Sequence, residues 1–129
     1  MSVPVELLPN SLQEMINVIG LPNTWKIVEK FGGVRLWVPG KFTPSNSLSP
    51  VIGHDAARAL IERFHNEELS VPRCVEAIRA VRDAAICEAM ANGETAASQA
   101  RHYGLTERAI FKIKARQQAA FNEAQIALL

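Results

Sequence analysis

Arg101, His102, Arg108, Lys112, Lys114 and Arg116 crowd basic and proton-sharing side chains into one short stretch, interrupted by a single acid, Glu107. From Thr95 to Arg116 five Lys and Arg face that one acid, a local charge of +4. Met1 to Glu94 holds nine basic and eleven acidic residues, so the formal net charge of +1 hides an asymmetry. A cationic segment on a mildly acidic body suits a polyanionic partner. The carboxylates form no constellation with His, Cys or Ser that would do acid, base or nucleophilic chemistry, and no Gly-rich phosphate loop is present. The expectation is a binding protein without a cofactor, not an enzyme.

A solvated helix face would carry the same charges, so the spacing beneath them has to decide. Thr95 to Ile113 fits two short helices meeting at a tight turn, the arrangement by which many proteins read DNA. Ala100 is small enough for a close helix crossing. Four residues on, Gly104 suits a turn that needs positive φ. Tyr103, Leu105, Ile110 and Ile113 fall where the core between the helices must be apolar. Thr95 and Thr106 stand at N-cap positions, and Glu107 puts a negative charge on the first turn of the second helix. Gln99 departs from the pattern, because an aliphatic residue commonly packs there. On this reading Thr106, Glu107, Arg108, Phe111 and Lys112 lie at or on the face that meets base edges, with Arg108 the candidate guanine contact. Arg101, His102, Lys114 and Arg116 would hold phosphates and set register. Phe111 could touch a thymine methyl or pack in the core.

The elements that must carry this motif come from a chain of 129 residues, 48% hydrophobic, enough for one domain or two small ones. No apolar run is long enough to span a bilayer and the N-terminus lacks a basic region ahead of an apolar core, so a cytoplasmic protein is expected. Cys74 and Cys87 fall on one expected helix about 20 Å apart, too far for a bridge. With His54, His65 and His102 scattered, no metal site is expected.

Ahead of the motif lies a duplication. Val18-Ile19-Gly20 recurs as Val51-Ile52-Gly53, Glu29 as Glu62, Phe31 as Phe64, Leu36 as Leu69 and Val38-Pro39 as Val71-Pro72, always 33 residues on and without a gap. Each copy (18–41 and 51–74) reads as a helix and a short strand. Leu21, Trp25, Val28 and Phe31 make the first helical stripe, and Ala57, Leu60, Ile61 and Phe64 the second. Val34, Leu36 and Val38 should face the core, leaving Arg35 and Trp37 outward, where the second copy has Glu68 and Ser70. Ser11 with Glu14 has the form of a capping box opening an earlier helix. Strands this short need partners, and antiparallel pairing of equivalent strands gives a two-fold axis either within the chain or across a dimer. A long helix from Cys74 to about Ala91 leads into the motif, and Gln117 to Leu129 continues with helix formers that either pack on a partner or fray.

Phe31-Gly32-Gly33-Val34-Arg35-Leu36-Trp37-Val38-Pro39 followed by Arg101-His102-Tyr103-Gly104-Leu105-Thr106 resembles the Mor family of transcription activators of Mu-like phages and prophages, which includes the middle-operon regulator and late-gene activator C. The resemblance spans roughly Val18 to Lys114. It implies a mostly α fold with two short β-strands: an N-terminal helix-strand dimerisation domain (1–73) and a C-terminal helix-turn-helix domain (74–129). It also implies a homodimer on double-stranded DNA that activates phage promoters by touching host RNA polymerase. The family's strand is thought to help contact DNA, so Arg35 and Trp37 join the expected DNA-binding set, with interface packing the other role open to Trp37. A repressor on the same fold, or a small-terminase-like packaging protein forming a closed ring, would use the same motif differently.

Overall fold

The computed structural model describes residues 5–73 and 75–127. Five α-helices and two strands follow in the order α1 (Asn10–Phe31), β1 (Arg35–Trp37), α2 (Ser49–Phe64), β2 (Glu68–Ser70), α3 (Val75–Ala91), α4 (Ala96–Tyr103) and α5 (Glu107–Ala127), after a 3-10 turn at Val5–Leu7. The described chain is thus mostly helical with a two-stranded antiparallel sheet. It divides into two compact units, Pro4–Arg79 and Ala80–Leu129.

In the first unit the duplication is visible in the backbone. α1 and α2 pack together, and each is bent at a glycine, Gly20 (φ 84°, ψ 162°) and Gly53 (φ 86°, ψ 164°), one repeat apart. Below the first bend the buried Thr24 donates its hydroxyl to the Gly20 carbonyl at 2.8 Å, and Asn23 donates to Ile19 O at 3.0 Å. Each of these side chains bonds a carbonyl four residues back, beside the bend. Equivalent positions are buried alike, Ile27 with Leu60, Val28 with Ile61 and Val38 with Val71.

The strands pair with each other inside the chain, in the register Arg35↔Ser70, Leu36↔Leu69 and Trp37↔Glu68. Shifting every number by 33 maps this register onto itself, so a local two-fold axis passes between Leu36 and Leu69. The flanking bonds obey the same symmetry. Gly33 N–H donates to Val71 O at 2.8 Å and Asn66 N–H to Val38 O at 3.0 Å; Val71 N–H donates to Val34 O at 3.1 Å and Val38 N–H to Glu67 O at 2.9 Å. Each helix reaches its strand through a left-handed residue, Gly33 at φ 88° and Asn66 at φ 61°, the latter the only non-glycine with positive φ among the described residues. Asparagine is among the few side chains that tolerate this region, so one backbone need is met by two residue types.

Two local expectations are corrected. Ser11 is not a cap: α1 starts at Asn10 after Pro9, no side chain caps it, and Gln13 instead reaches back to donate to Leu8 O at 2.7 Å. Val34 does not face the core but is exposed, because it belongs to the turn after Gly33, with its N–H given to Phe31 O, and the pleat starts only at Arg35. Ordinary alternation holds from there, with Leu36 and Val38 buried and Arg35 and Trp37 outward. The expected helix from Cys74 to about Ala91 is found as α3 over Val75–Ala91; Cys74 and the last two residues of Ile126-Ala127-Leu128-Leu129 lie outside the described residues. No helix among the described residues is long and apolar enough to cross a membrane.

Candidate nucleic-acid interface

In the second unit a sharp turn between α4 and α5 is set by backbone chemistry at each end. Thr95 Oγ1 accepts from the Ser98 N–H at 3.0 Å and opens α4. Gly104 closes it in the left-handed region (φ 67°, ψ 35°), where a Cβ is costly, and its N–H together with that of Leu105 bonds the Ala100 carbonyl. Two residues later Thr106 Oγ1 accepts from the Ala109 N–H at 3.1 Å and opens α5. A helix stop and a helix start three residues apart leave the chain no room to wander. Glu107 sits at the positive end of the α5 dipole, where a carboxylate stabilises the helix.

Packing then fixes which faces turn outward. Ala100 and Tyr103 of α4 and Ile110 and Ile113 of α5 are buried, as the spacing predicts, and Leu105 is half-buried. Each buried isoleucine is worth about 1.5–3 kcal/mol against leaving it in water. Gln99 occupies its anomalous position buried, among the few buried polar residues described. Burial pushes the Tyr103 phenol up to about 12, a shift that nearby Arg82 opposes, so the ring stays neutral across the physiological range. With Ile110 and Ile113 inward, Arg108, Phe111 and Lys112 come round on the opposite side of the 3.6-residue turn. All three are exposed, as are Arg101, His102, Glu107, Lys114 and Arg116. Phe111, whose two possible roles the sequence leaves open, is 55% exposed and so is no core residue.

One electrostatic feature escapes the sequence. Arg82 on α3 is buried and holds the neighbouring Asp83 Oδ1 with two bonds, from Nη2 at 2.7 Å and Nε at 3.0 Å. Asp83 Oδ2 lies 3.9 Å from the Arg116 guanidinium. Arg116 is therefore tethered loosely to a carboxylate on its own unit, whereas Arg108 and Lys112 appear in no ion pair among the described residues. An adjacent Arg-Asp pair in an amphipathic helix looks like solvated surface in one dimension, so no signal gave it away. Cys87 nearby is half-buried, and burial, reinforced by Asp83, raises its thiol pKa.

In the other unit Arg35 and Trp37 stand outward on the ribbon, Trp37 59% exposed. Arg35 Nη1 lies 3.9 Å from Glu68 Oε1 of the paired strand. The two strands thus bring opposite charges together on one face. Among the described residues no group of His, Cys, Asp and Glu is arranged to hold a metal ion.

The sequence profile of the Mor transcription activator family matches residues 41–128. No curated protein and no solved structure gives a match. The matched range takes in the Arg101–Thr106 segment, α2, β2 and α3 to α5, but begins after β1. Phe31–Pro39, which carried much of the resemblance in sequence, thus lies outside it, as do α1 and β1. Since the match covers more than half of its length, the chain belongs to the Mor transcription activator family.

Proposed function

We propose that this chain is a sequence-specific DNA-binding activator of phage or prophage promoters that works with the host RNA polymerase. The observation that carries the reading is the outer face of α5, where Arg108, Phe111 and Lys112 lie exposed on a helix whose start is fixed by the Gly104 turn and the Thr106 cap. A helix presented from its N-terminal end with cations and an apolar contact is suited to the major groove. Arg108 reads a guanine by paired bonds to its O6 and N7. Phe111 meets a thymine methyl, Lys112 and Thr106 complete the approach to the bases, and Glu107 accepts from a cytosine amine. Arg101, His102, Lys114 and Arg116 hold phosphates; Arg116 must first leave Asp83, so its net contribution is the smallest of the set. Arg35 and Trp37 form a second, separate candidate contact on the ribbon.

Two substitutions test the assignment on duplexes selected by the intact protein. Arg108→Ala is expected to cost about 1–3 kcal/mol of discrimination at one base pair while leaving non-specific binding nearly unchanged. Lys114→Ala is expected to weaken specific and non-specific duplexes alike and to flatten the salt dependence by about one phosphate contact. Equal, small effects of both would remove α5 from the groove. Transcription from a promoter carrying the selected site, with and without the protein, then separates activation from repression.

A further inference from the structure

We infer that the cleft between α2 and the loop 40–42 in the first unit is a docking site for a carboxylate-bearing segment of a partner protein, with Arg58 as the anchor of the carboxylate. The inference goes beyond DNA reading and does not depend on it, because no residue of α4 or α5 lines this cleft.

Helical spacing builds one wall. Arg58, Ile61, Glu62 and His65 stand at i, i+3, i+4 and i+7, so they fall along one side of α2 and its C-cap. Together with Gly40, Lys41 and Phe42 they line a cleft of about 650 Å3. The opposite wall is held at both ends. Val38 N–H donates to Glu67 O and Asn66 N–H to Val38 O, which pins the chain just ahead of Gly40 to the end of α2. A Cβ on Gly40 would come within 2.8 Å of Asn66 Oδ1, so the loop passes close against that side chain. Farther on, the half-buried Phe42 ring stands at nearly a right angle to that of His54, centroids 5.7 Å apart, and His54 Nδ1 is bonded to Ser49 Oγ at 2.9 Å. Buried Ile61 supplies an apolar floor, and the His65 ring is fixed at the rim by Nδ1 donating to Glu62 O at 2.9 Å.

Arg58 supplies the recognition chemistry. Its guanidinium carbon rests over the Phe42 ring, 4.6 Å from the centroid. That contact holds the side chain in place while its N–H donors, which lie in the plane of the guanidinium, remain for a partner. Two of them match the two oxygens of one carboxylate. Arg58, Lys41 and Glu62 are all exposed, and none of the three is in an ion pair among the described residues. The first copy shows that the fold does not demand these side chains: 33 residues before Lys41, Arg58 and His65 it has Leu8, Trp25 and Gly32, and there Leu8 and Trp25 are buried. Duplex DNA is a poor occupant, since a row of phosphates favours cations alone and Glu62 stands on the same side of α2 as Arg58. A peptide suits the mixture. An acidic side chain meets Arg58 and Lys41, an apolar neighbour reaches Phe42 and Ile61, and Glu62 accepts from a peptide N–H.

The probe is a short fluorescein-labelled peptide in which Glu alternates with Leu, titrated with the intact chain at low salt and read by anisotropy. Saturable binding is expected, and the same peptide with Gln for Glu should bind at least about tenfold more weakly. Arg58→Ala should weaken the Glu peptide about tenfold, and Arg58→Lys nearly as much, because an ammonium keeps the charge without the fork. Arg63→Ala controls for charge alone: it removes a cation from the same helix, but Arg63 lies over Phe64, 4.8 Å from the ring centroid, and does not line the cleft. Its effect should stay within about twofold, as for a screened surface charge. Equal losses from Arg58→Ala and Arg63→Ala overturn the inference, as does equal binding of the Gln peptide or no saturation up to about 1 mM. Arg58→Ala is then titrated with duplex DNA, where unchanged affinity is expected. A loss there matching that of the peptide makes the cleft a phosphate contact and overturns the inference. The peptide result stands whatever Arg108→Ala does to base discrimination.

Discussion

The two helix-strand copies share a backbone but differ on the outer faces of their strands. Copy one has Gly33, Arg35 and Trp37 where copy two has Asn66, Glu68 and Ser70. The bends at Gly20 and Gly53 agree within 2° in both φ and ψ, and the strand register is self-symmetric. The two strands thus hold their backbone bonds and inward apolar residues in common, while their outward side chains differ. The divergence is not neutral electrically. It leaves one strand basic and aromatic and the other acidic, and only the first is suited to a polyanion.

The strongest way to break that comparison is to cut equivalent side chains out of the core. Ile27 and Leu60 are both fully buried. Ile27→Ala and Leu60→Ala are each expected to cost about 2–5 kcal/mol, the range for removing a buried aliphatic side chain into a site that relaxes only partly. Urea unfolding of the intact protein should show the two losses within about 1 kcal/mol of each other, well inside that spread. If one variant unfolds the first unit and the other scarcely moves it, the copies do not share one core.

A smaller and opposite pair of effects is expected at the left-handed junctions. Gly33→Ala puts a Cβ at φ 88° and against the Arg73 side chain, and should cost about 1–2 kcal/mol, since the guanidinium can move aside but the backbone cannot. Asn66→Gly at φ 61° relieves residual strain, and any gain is limited to a few tenths of a kcal/mol because Gly also adds freedom to the unfolded chain. Thermal melts of both variants should move in opposite directions. Two downward shifts would show that the Asn66 side chain contributes more than its backbone tolerance.

These junctions also show what a linear sequence can and cannot carry. Gly104, Thr95 and Thr106 are legible because each supplies a local need, positive φ or an oxygen for an orphan N–H, that few residue types meet. The repeat is legible because its apolar spacing survives in both copies. The equivalence of Gly33 and Asn66 is hidden, since the two residues look unrelated until their φ values are known. Pairing inside the chain is hidden too: symmetric strands pair equally well with themselves or with a second chain, and only the connecting path decides. Ser11 misleads because a capping box needs a free helix start, and Pro9 with Gln13 has already built one. The pairing of buried Arg82 with half-buried Asp83 depends on which side of α3 is covered, which hydropathy alone misjudges when the buried residue is an arginine.

The finest test of the comparison is at Glu68. Its carboxylate lies 3.9 Å from Arg35, and both side chains are more than half exposed, so in water the pair contributes at most about 1 kcal/mol and screening by salt lowers that further. Glu68→Gln should therefore leave the melting curve almost where it was. Its effect on DNA affinity is the informative measurement. Should the ribbon's basic edge touch phosphate, removing the acid frees Arg35 and removes a repulsion, and affinity at low salt should rise severalfold with a steeper salt dependence. Should Trp37 and Arg35 stand clear of the duplex, the same substitution changes neither quantity. That leaves α5 alone as the reading surface, because Glu68 acts on DNA only through the charge it places beside Arg35.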